Sequence, residues 1–255
     1  MLATKAGVRE AALPAATLLV LLVVWEVSDR VFHFNQLVLP SPSAILAATG
    51  NNLPRLLKET GITMLESVLG FLLGGVAAYL LAILFAHSRP AQDAFYPYAV
   101  ALKSTPLIAI APLLVMWFGN GLLSKVVMSA LVAFFPILVN SVNGLTSVDP
   151  QIMDLMKSLS ASRWQVLRKI RIPNSLGYLF ASMKIASSLA VVGAVIGEFT
   201  GATRGIGYLI NTASYYLETP LVFAGVAMIS FGGILFFGLM AYLERKVVFW
   251  QDYDV

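Results

Sequence analysis

The chain of 255 residues carries 17 basic and 13 acidic side chains, so only 12% of it is charged, while 58% is apolar and the mean hydropathy is +0.82. About a quarter of an average soluble domain is charged, so this composition excludes a soluble globular enzyme. No cysteine is present, which excludes a disulfide-stapled module and any thiolate site for zinc or an iron–sulfur cluster. The composition therefore predicts an all-α polytopic membrane protein.

Six stretches are long and apolar enough to cross the hydrocarbon core, which takes about 20 residues of helix. One of them qualifies only because a single lysine, Lys184, is tolerated within it. We therefore expect six transmembrane helices, over residues 11–25, 67–86, 104–124, 126–148, 172–197 and 219–243. Lys5 and Arg9 precede the first stretch, as in a signal peptide, but no small-x-small cleavage pattern follows it, which favours an uncleaved signal anchor.

The distribution of lysine and arginine indicates the orientation of the chain. With six crossings, the loops on the side of the N-terminus hold the larger share of these residues, so the positive-inside rule places both termini in the cytoplasm. The pI near 9.3 then reflects topology and gives no support to nucleic-acid binding. We expect one transmembrane domain over residues 1–255.

Two outer segments are predicted from their turn residues. About residues 29–59, Pro40 and Pro42 predict an extended stretch followed by a short helix near the membrane interface. About residues 201–217, a glycine-rich segment too short to span predicts a lip or re-entrant element.

The cytoplasmic loop at residues 149–173 has an ordered pattern. Asp149 followed by Pro150 is typical of a helix start, and Ser162 with Gln165 forms a capping-box pattern that predicts a second helix, which Pro173 ends. The first helix carries one apolar stripe, formed by Ile152, Leu155, Met156 and Leu159. Such an exposed helix–turn–helix with a basic rim suits docking to a partner, and a basic helix lying on the anionic inner leaflet is the alternative.

The same loop resembles a known signature. The run DLMKSLSASRW at residues 154–164, followed by IRIP at 170–173, is similar to the E-A-A-x-x-x-G and I-x-L-P motifs of permease subunits of bacterial ABC importers. Similarity to the nitrate/sulfonate/taurine-type branch extends over about residues 60–250. Aspartate replaces the glutamate of the signature, Leu155 and Met156 replace its alanines, and Ser160 replaces its glycine, which implies a docking cleft specific to this protein's own ATPase.

This resemblance implies the type I importer architecture and a coupling helix that sits in a cleft of an ATP-hydrolysing subunit. The coupling residues would be Asp154, Leu155, Met156, Leu159, Ser160, Ala161, Arg163, Trp164 and Pro173. It also implies a bacterial inner-membrane location, a homodimer, two ATP-binding cassette subunits that hold ATP and Mg, and an extracytoplasmic solute-binding protein. The chain itself would bind no cofactor.

The expected solute is a thiamine-precursor pyrimidine or a riboflavin-like compound, on the similarity around Glu66 and residues 105–113. Nitrate, bicarbonate, taurine or an alkanesulfonate is the alternative. A secondary transporter or channel and a membrane-embedded enzyme are more distant alternatives. The sequence holds no HExxH, GxSxG or phosphate-loop motif and only two histidines, so we expect neither catalysis nor a metal site.

Polar groups within the spans are the candidates for a translocation path: Glu66, Lys103, Ser104, Thr105, Asn140, Lys184 and Glu198. An unpaired charge there costs about 2.5 to 3.5 kcal/mol on insertion scales. Glu66 and Lys184 could pair with each other or contact solute, although a snorkelling lysine and a glutamate in interfacial water would need neither. For Glu198 we favour a structural or gating role. Asn140 could cap a neighbouring helix or contact solute, and the residues before Pro106 could line a cavity or only pack.

Overall fold

The computed structural model describes residues 3–103 and 105–250, and within these ranges every regular element is a helix. A π-helical turn at Leu167–Arg171 joins the α-helices Arg163–Val166 and Ile172–Phe199. The α-helices are α1 (Ala3–Phe32), α2 (Pro42–His87), α3 (Arg89–Lys103), α4 (Leu107–Phe118), α5 (Leu122–Thr146), α6 (Pro150–Ser158), α7 (Arg163–Val166), α8 (Ile172–Phe199), α9 (Ile206–Tyr215) and α10 (Thr219–Val247).

Five helical stretches in the described ranges are long and apolar enough to span a membrane: α1, α2, α5, the continuous stretch Arg163–Phe199, and α10. The third predicted span, at residues 104–124, is not one helix. Pro106 has an extended backbone and separates α3 from α4, because a proline disfavours helical geometry in the residue before it. With 12 residues, α4 rises only about 18 Å. The predicted count of six spans is thus not confirmed.

The segment predicted as an extended stretch with a separate short helix also differs. Helix α1 continues to Phe32, and α2 begins at Pro42 and runs through Pro54 to His87 without interruption, over 46 residues. Proline is well placed in the first helical turn, where its missing N–H needs no partner, so Pro42 starts this helix. The separate interfacial helix was a wrong prediction because nothing after Pro42 stops α2 before the membrane span.

The chain divides into two compact units. The first comprises Met1–Leu57 and Leu209–Met228. In it, the Glu26 carboxylate accepts hydrogen bonds from the backbone N–H and the hydroxyl of Ser43, at 3.1 and 3.0 Å. The Thr219 hydroxyl donates to the Leu37 carbonyl at 2.7 Å. These bonds connect the end of α1 to the start of α2, and the loop between them to α10.

The second unit comprises Lys58–Tyr208 and Ile229–Val255, and α5 is its central helix. A side chain at Gly74 of α2 would overlap the Ala130 carbonyl, and one at Gly193 of α8 would come within 2.8 Å of the Ser129 Cα atom. The Ser129 hydroxyl donates to the Ala190 carbonyl at 2.9 Å. Close approach through small residues, as in other membrane helix pairs, therefore packs α2 and α8 against α5.

Candidate functional site

The segment between α5 and α8 folds into the two capped helices expected from its sequence. Asp149 is the N-cap of α6, where its carboxylate accepts from the Gln151 N–H at 2.8 Å, and Pro150 occupies the first turn. The Ser162 hydroxyl accepts from the Gln165 N–H at 3.2 Å, and the Gln165 side chain accepts from the Ser162 N–H at 2.8 Å. Both predicted caps are thus confirmed. We call residues 149–173 the docking segment.

The turn inside the docking segment is a Schellman motif. The Ala161 N–H donates to the Met156 carbonyl at 3.0 Å and the Ser160 N–H donates to the Lys157 carbonyl at 2.9 Å. Ser160 has a φ of +51°, in the left-handed region where glycine is favoured. The residue that replaces the glycine of the family signature therefore adopts a conformation suited to glycine and makes the same sharp turn.

The apolar side chains of the docking segment are turned toward solvent. Ile152, Leu155, Leu159 and Trp164 are 43%, 57%, 67% and 63% exposed, and α6 and α7 contain no buried residue. We call these four side chains the docking ridge. Other predicted coupling residues flank it: Met156 and Ala161 are half-buried, whereas Arg163 is exposed, as is Asp154, which pairs with Lys157 at 2.8 Å. Exposed apolar side chains clustered in this way mark an interaction surface.

Pro173 does not end the second helix, contrary to the sequence prediction. It lies in the first turn of α8, and the chain is helical from Arg163 to Phe199. The π-helical turn at Leu167–Arg171 explains this, because the Ile172 N–H bonds to the Leu167 carbonyl, five residues back. The wider turn just before Pro173 accommodates a ring that would clash with the preceding turn of a regular α-helix.

Side chains at the start of α8 bind the ends of two neighbouring helices. The Arg171 guanidinium donates to the Ala86 carbonyl near the end of α2. The Asn174 amide donates to the Gly144 carbonyl near the end of α5, at 2.9 Å. The hydroxyls of Tyr79 and Ser175 share a hydrogen bond of 3.0 Å. These hydrogen bonds connect the docking segment and the start of α8 to α2 and α5.

A buried polar cluster lies at the other end of α8. Glu198 is 1% exposed and Thr63 is fully buried. The Thr63 hydroxyl donates to the Glu198 carboxylate at 2.5 Å and accepts from the Ile206 N–H at 2.8 Å. Glu198 also accepts from the Gly207 N–H, and Glu59 accepts from the Gly205 N–H at 2.7 Å.

These bonds satisfy three successive N–H groups where α9 begins. Such groups have no partner within the helix and carry partial positive charge, so a carboxylate there is stabilising. Gly205 has a φ of +103°, and a Cβ atom on it would overlap the Glu198 carboxyl group. The glycine is needed both for the turn and for the space that the carboxylate fills.

Two further ionisable side chains are buried in the same unit. Glu66 is 4% exposed, and its Oε2 atom has no hydrogen-bond partner among the described residues. Lys125 is 1% exposed, and its ammonium donates to the Asn120 carbonyl at 2.6 Å. Glu198 is thus hydrogen-bonded within the fold, and the structural or gating role favoured for it stays a prediction.

The remaining path candidates are dispersed. Lys184 pairs with Glu244 of α10 at 2.5 Å, so the pairing of Lys184 with Glu66 that the sequence allowed does not occur. The Asn140 amide donates to the Pro136 carbonyl of its own helix at 2.9 Å, so it caps no neighbour. Thr105 is exposed at the break between α3 and α4. Ser104 lies outside the described residues, and only the backbone of Lys103 is described.

Sequence reasoning missed several members of these groups. Lys125 falls between the predicted spans 104–124 and 126–148, although it lies inside α5. Glu59 and Thr63 were not singled out, although they precede Glu66 at helical spacings of seven and three residues. That polar stripe on an apolar helix was the signal that could have identified the α2 side of the cluster.

Comparisons with known proteins cover most of the chain. A family model described as "binding-protein-dependent transport system inner membrane component" matches residues 70–249. The riboflavin transport system permease protein of Chloroflexus aurantiacus is 35% identical over 92% of this chain and 88% of its own length. The formylaminopyrimidine transport permease protein of Halalkalibacterium halodurans is 35% identical over 93% of this chain and 95% of its own length. The taurine transport system permease protein of Escherichia coli is 29% identical over 95% of this chain and 91% of its own length.

A solved structure shows the same fold. The MetNI methionine ABC transporter in an inward-facing conformation matches with a TM-score of 0.67 at 18% identity, over 76% of this chain and 97% of the matched chain. At this identity the likeness concerns the fold alone. It confirms the expected all-α importer architecture.

Proposed function

Because the chain belongs to the family of binding-protein-dependent transport system inner membrane components, we propose that its docking segment binds a separate ATP-hydrolysing subunit and drives transport of a small organic solute. Family membership makes the chain a multi-pass permease subunit of an ABC importer in the bacterial inner membrane. Beyond family membership, we propose the contact made by the docking segment, the ATPase subunit that binds there and the class of solute.

The exposed docking ridge is the observation that carries the proposal. Leu155 and Leu159 lie on one face of α6, four residues apart, and both are more than half exposed in the single chain. Burying a leucine side chain contributes about 1.5 to 3 kcal/mol. A groove that covered both side chains would therefore gain several kcal/mol toward binding of a cytosolic subunit.

Transmission of movement rests on the bonds at the start of α8. Arg171 and Asn174 connect the docking segment to α2 and α5, and α8 then rises about 40 Å over its 28 residues to Glu198. When two ATPase subunits close on ATP, the docking segments of the two permease copies move with them, and the membrane-spanning helices follow as rigid rods. The path opens outward to receive solute and reopens inward after hydrolysis. ATP binding can shift the permease between its inward-open and outward-open states only to the extent that the docking segment contacts the ATPase differently in the two states.

The assembly that we propose contains two copies of this permease, two ATPase subunits that hold ATP and Mg, and an extracytoplasmic solute-binding protein. Two relatives at 35% identity are named for riboflavin and formylaminopyrimidine transport, which supports a flavin-like or pyrimidine solute for this chain. The taurine relative at 29% identity supports the alternative of a sulfonate or another oxyanion. Titrating the cognate binding protein with each compound decides between them.

A paired substitution tests the docking ridge. We expect Leu155→Asp with Leu159→Asp to abolish co-purification of the ATPase and solute-stimulated ATP hydrolysis, because two carboxylates would have to be buried in an apolar groove. The matched control is Gln151→Asp, which adds a carboxylate to the same helix at an exposed position outside the ridge. If the paired variant assembles as well as the control, the docking proposal is wrong. If solute crosses without any ATPase, the chain works as a channel or secondary transporter.

A further inference from the structure

A cavity of about 900 Å³ lies between the docking segment and the turn that connects α2 to α3. Its lining includes five basic residues, which are His87, Arg89, Lys157, Arg163 and Arg171. No aspartate or glutamate is among the lining residues of this described part of the chain. A cavity walled by one sign of charge concentrates ions of the opposite sign.

The cavity lies on a different face of the docking segment from the docking ridge. On α6, Met153 and Lys157 line the cavity, whereas Ile152, Leu155 and Leu159 form the exposed ridge. At 100° per residue, these two sets are centred more than a quarter of a turn apart around the helix. A subunit docked on the ridge therefore leaves the cavity walls in place.

Backbone groups add to the positive character of the cavity. Helix α3 begins at Arg89, and the preceding Ser88 hydroxyl accepts from the Ala91 N–H at 3.4 Å. Ser88, Arg89, Pro90 and Gln92 line the cavity, so the N-terminal turn of a 15-residue helix faces it. The partial positive charge of a helix N-terminus favours a bound anion, in addition to the side-chain charges.

One of the basic side chains is held in position. The Arg171 guanidinium donates to the Ala86 carbonyl, which fixes it at the cavity wall and leaves further N–H donors on the same planar group. Lys157 also contacts Asp154 at 2.8 Å, but this pair is exposed and holds the lysine only weakly. The cavity thus combines a fixed guanidinium with more mobile cationic side chains around it.

From this arrangement, we propose that the cavity binds a phosphate group. Guanidinium, ammonium and backbone N–H groups are together the donors that recognise phosphate oxygens. The volume of about 900 Å³ is in the range of pockets that enclose small organic ligands, so it admits a phosphate with its attached headgroup or metabolite. The phosphate comes either from an anionic lipid headgroup or from a soluble phosphate compound.

A bound phosphate would connect two parts of the permease. Lys157 and Arg163 belong to the docking segment, while His87 and Arg89 belong to the α2–α3 turn. Without an anion, Lys157 and Arg163 repel Arg89 across the cavity, and a phosphate offsets this repulsion and holds the two sides together. The ligand therefore favours the arrangement in which the docking segment lies close to the α2–α3 turn.

The test compares two double variants of the full-length permease. Arg89→Gln with Arg163→Gln removes two cavity charges, and both side chains are exposed, so the fold is retained. The matched control, Arg168→Gln with Lys169→Gln, removes two exposed charges from the adjacent π-helical turn that do not line the cavity. Arg171 is left intact because it bonds to Ala86.

One arm titrates inorganic phosphate in detergent at low salt and follows the melting temperature. The other arm uses phosphatidylcholine nanodiscs with and without phosphatidylglycerol, and counts retained phosphatidylglycerol by native mass spectrometry. We expect saturable binding in at least one arm for the wild type and the control, weakened roughly tenfold or more in the cavity variant. Retention of phosphatidylglycerol identifies a lipid headgroup, and binding of inorganic phosphate without such retention identifies a soluble phosphate. Absence of saturable binding in both arms, or equal binding by all three proteins, would overturn the proposal.

Discussion

Replacing Thr63 with valine tests whether the buried cluster fixes the start of α9. Valine keeps the branched shape of threonine, so the substitution removes only the hydroxyl. That hydroxyl donates to the Glu198 carboxylate and accepts from the Ile206 N–H, and Thr63 is fully buried. Water therefore does not replace it easily, and both of its partners are left short of a hydrogen bond.

The expected loss follows from these two bonds. A hydrogen bond to a charged group contributes about 1.5 to 3 kcal/mol and a neutral one about 0.5 to 1.5 kcal/mol. The sum predicts that Thr63→Val lowers the free energy of unfolding by about 2 to 4.5 kcal/mol. For a chain of this size, 1 kcal/mol corresponds to about 2 to 4 °C, so the melting temperature should fall by roughly 4 to 18 °C.

The neighbouring Thr60 supplies a matched control on the same helix. It is 8% exposed, and its hydroxyl has no hydrogen-bond partner among the described residues. Because Thr60→Val removes an unsatisfied buried polar atom, it should leave the melting temperature unchanged or raise it. Scanning fluorimetry of both purified variants in detergent makes the comparison. If Thr63→Val has the melting temperature of the wild type, or if Thr60→Val lowers the melting temperature equally far, the cluster does not hold the start of α9 as described.

Two further substitutions test other buried features by the same melting assay. Lys184→Ala should lower the free energy of unfolding by about 3 to 5 kcal/mol, because it leaves the Glu244 carboxylate buried without its partner. The double variant Lys184→Met with Glu244→Leu should recover much of that loss, and a double variant as unstable as Lys184→Ala would contradict this. Gly205→Ala should be strongly destabilising, since the added Cβ atom overlaps the Glu198 carboxyl group, whereas Gly61→Ala, in open space within α2, should stabilise by about 0.5 to 1 kcal/mol. If Gly205→Ala and Gly61→Ala changed the melting temperature equally, the expected overlap of the Cβ atom at position 205 with Glu198 would be refuted.

Local features of the fold were predictable from the sequence because their causes are local. The caps at Asp149 and Ser162 depend on residues no more than three positions away, and both were predicted correctly. Pro173 was misread although it is also local, because the π-helical turn before it has no recognised sequence signature. The third span was misread because it was predicted from the length of an uncharged run, and Pro106 ends the helical geometry without adding a charge.

The buried charges show what sequence alone could not supply. Lys184 was identified as costly within a membrane, but the sequence allowed a pairing with Glu66, whereas its actual partner is Glu244. This partner lies on a different helix, 60 residues away along the chain. Hydropathy and spacing report that a charge needs compensation, whereas the identity of the compensating group depends on which helices pack together.

Helix α8 connects the two regions on which the proposed function depends. Its first turn is bonded to the ends of α2 and α5, and its last turn carries Glu198, which is bonded to α2 through Thr63 and to the start of α9. Helices α2 and α8 are thus joined at both ends of the second unit, and α5 packs between them through Gly74 and Gly193. A pair of helices bonded at both ends cannot shear without breaking these hydrogen bonds, so the force proposed at the docking segment would displace them as one body. The proposed coupling needs this rigidity if movement at the docking segment is to become movement at the far end of α8.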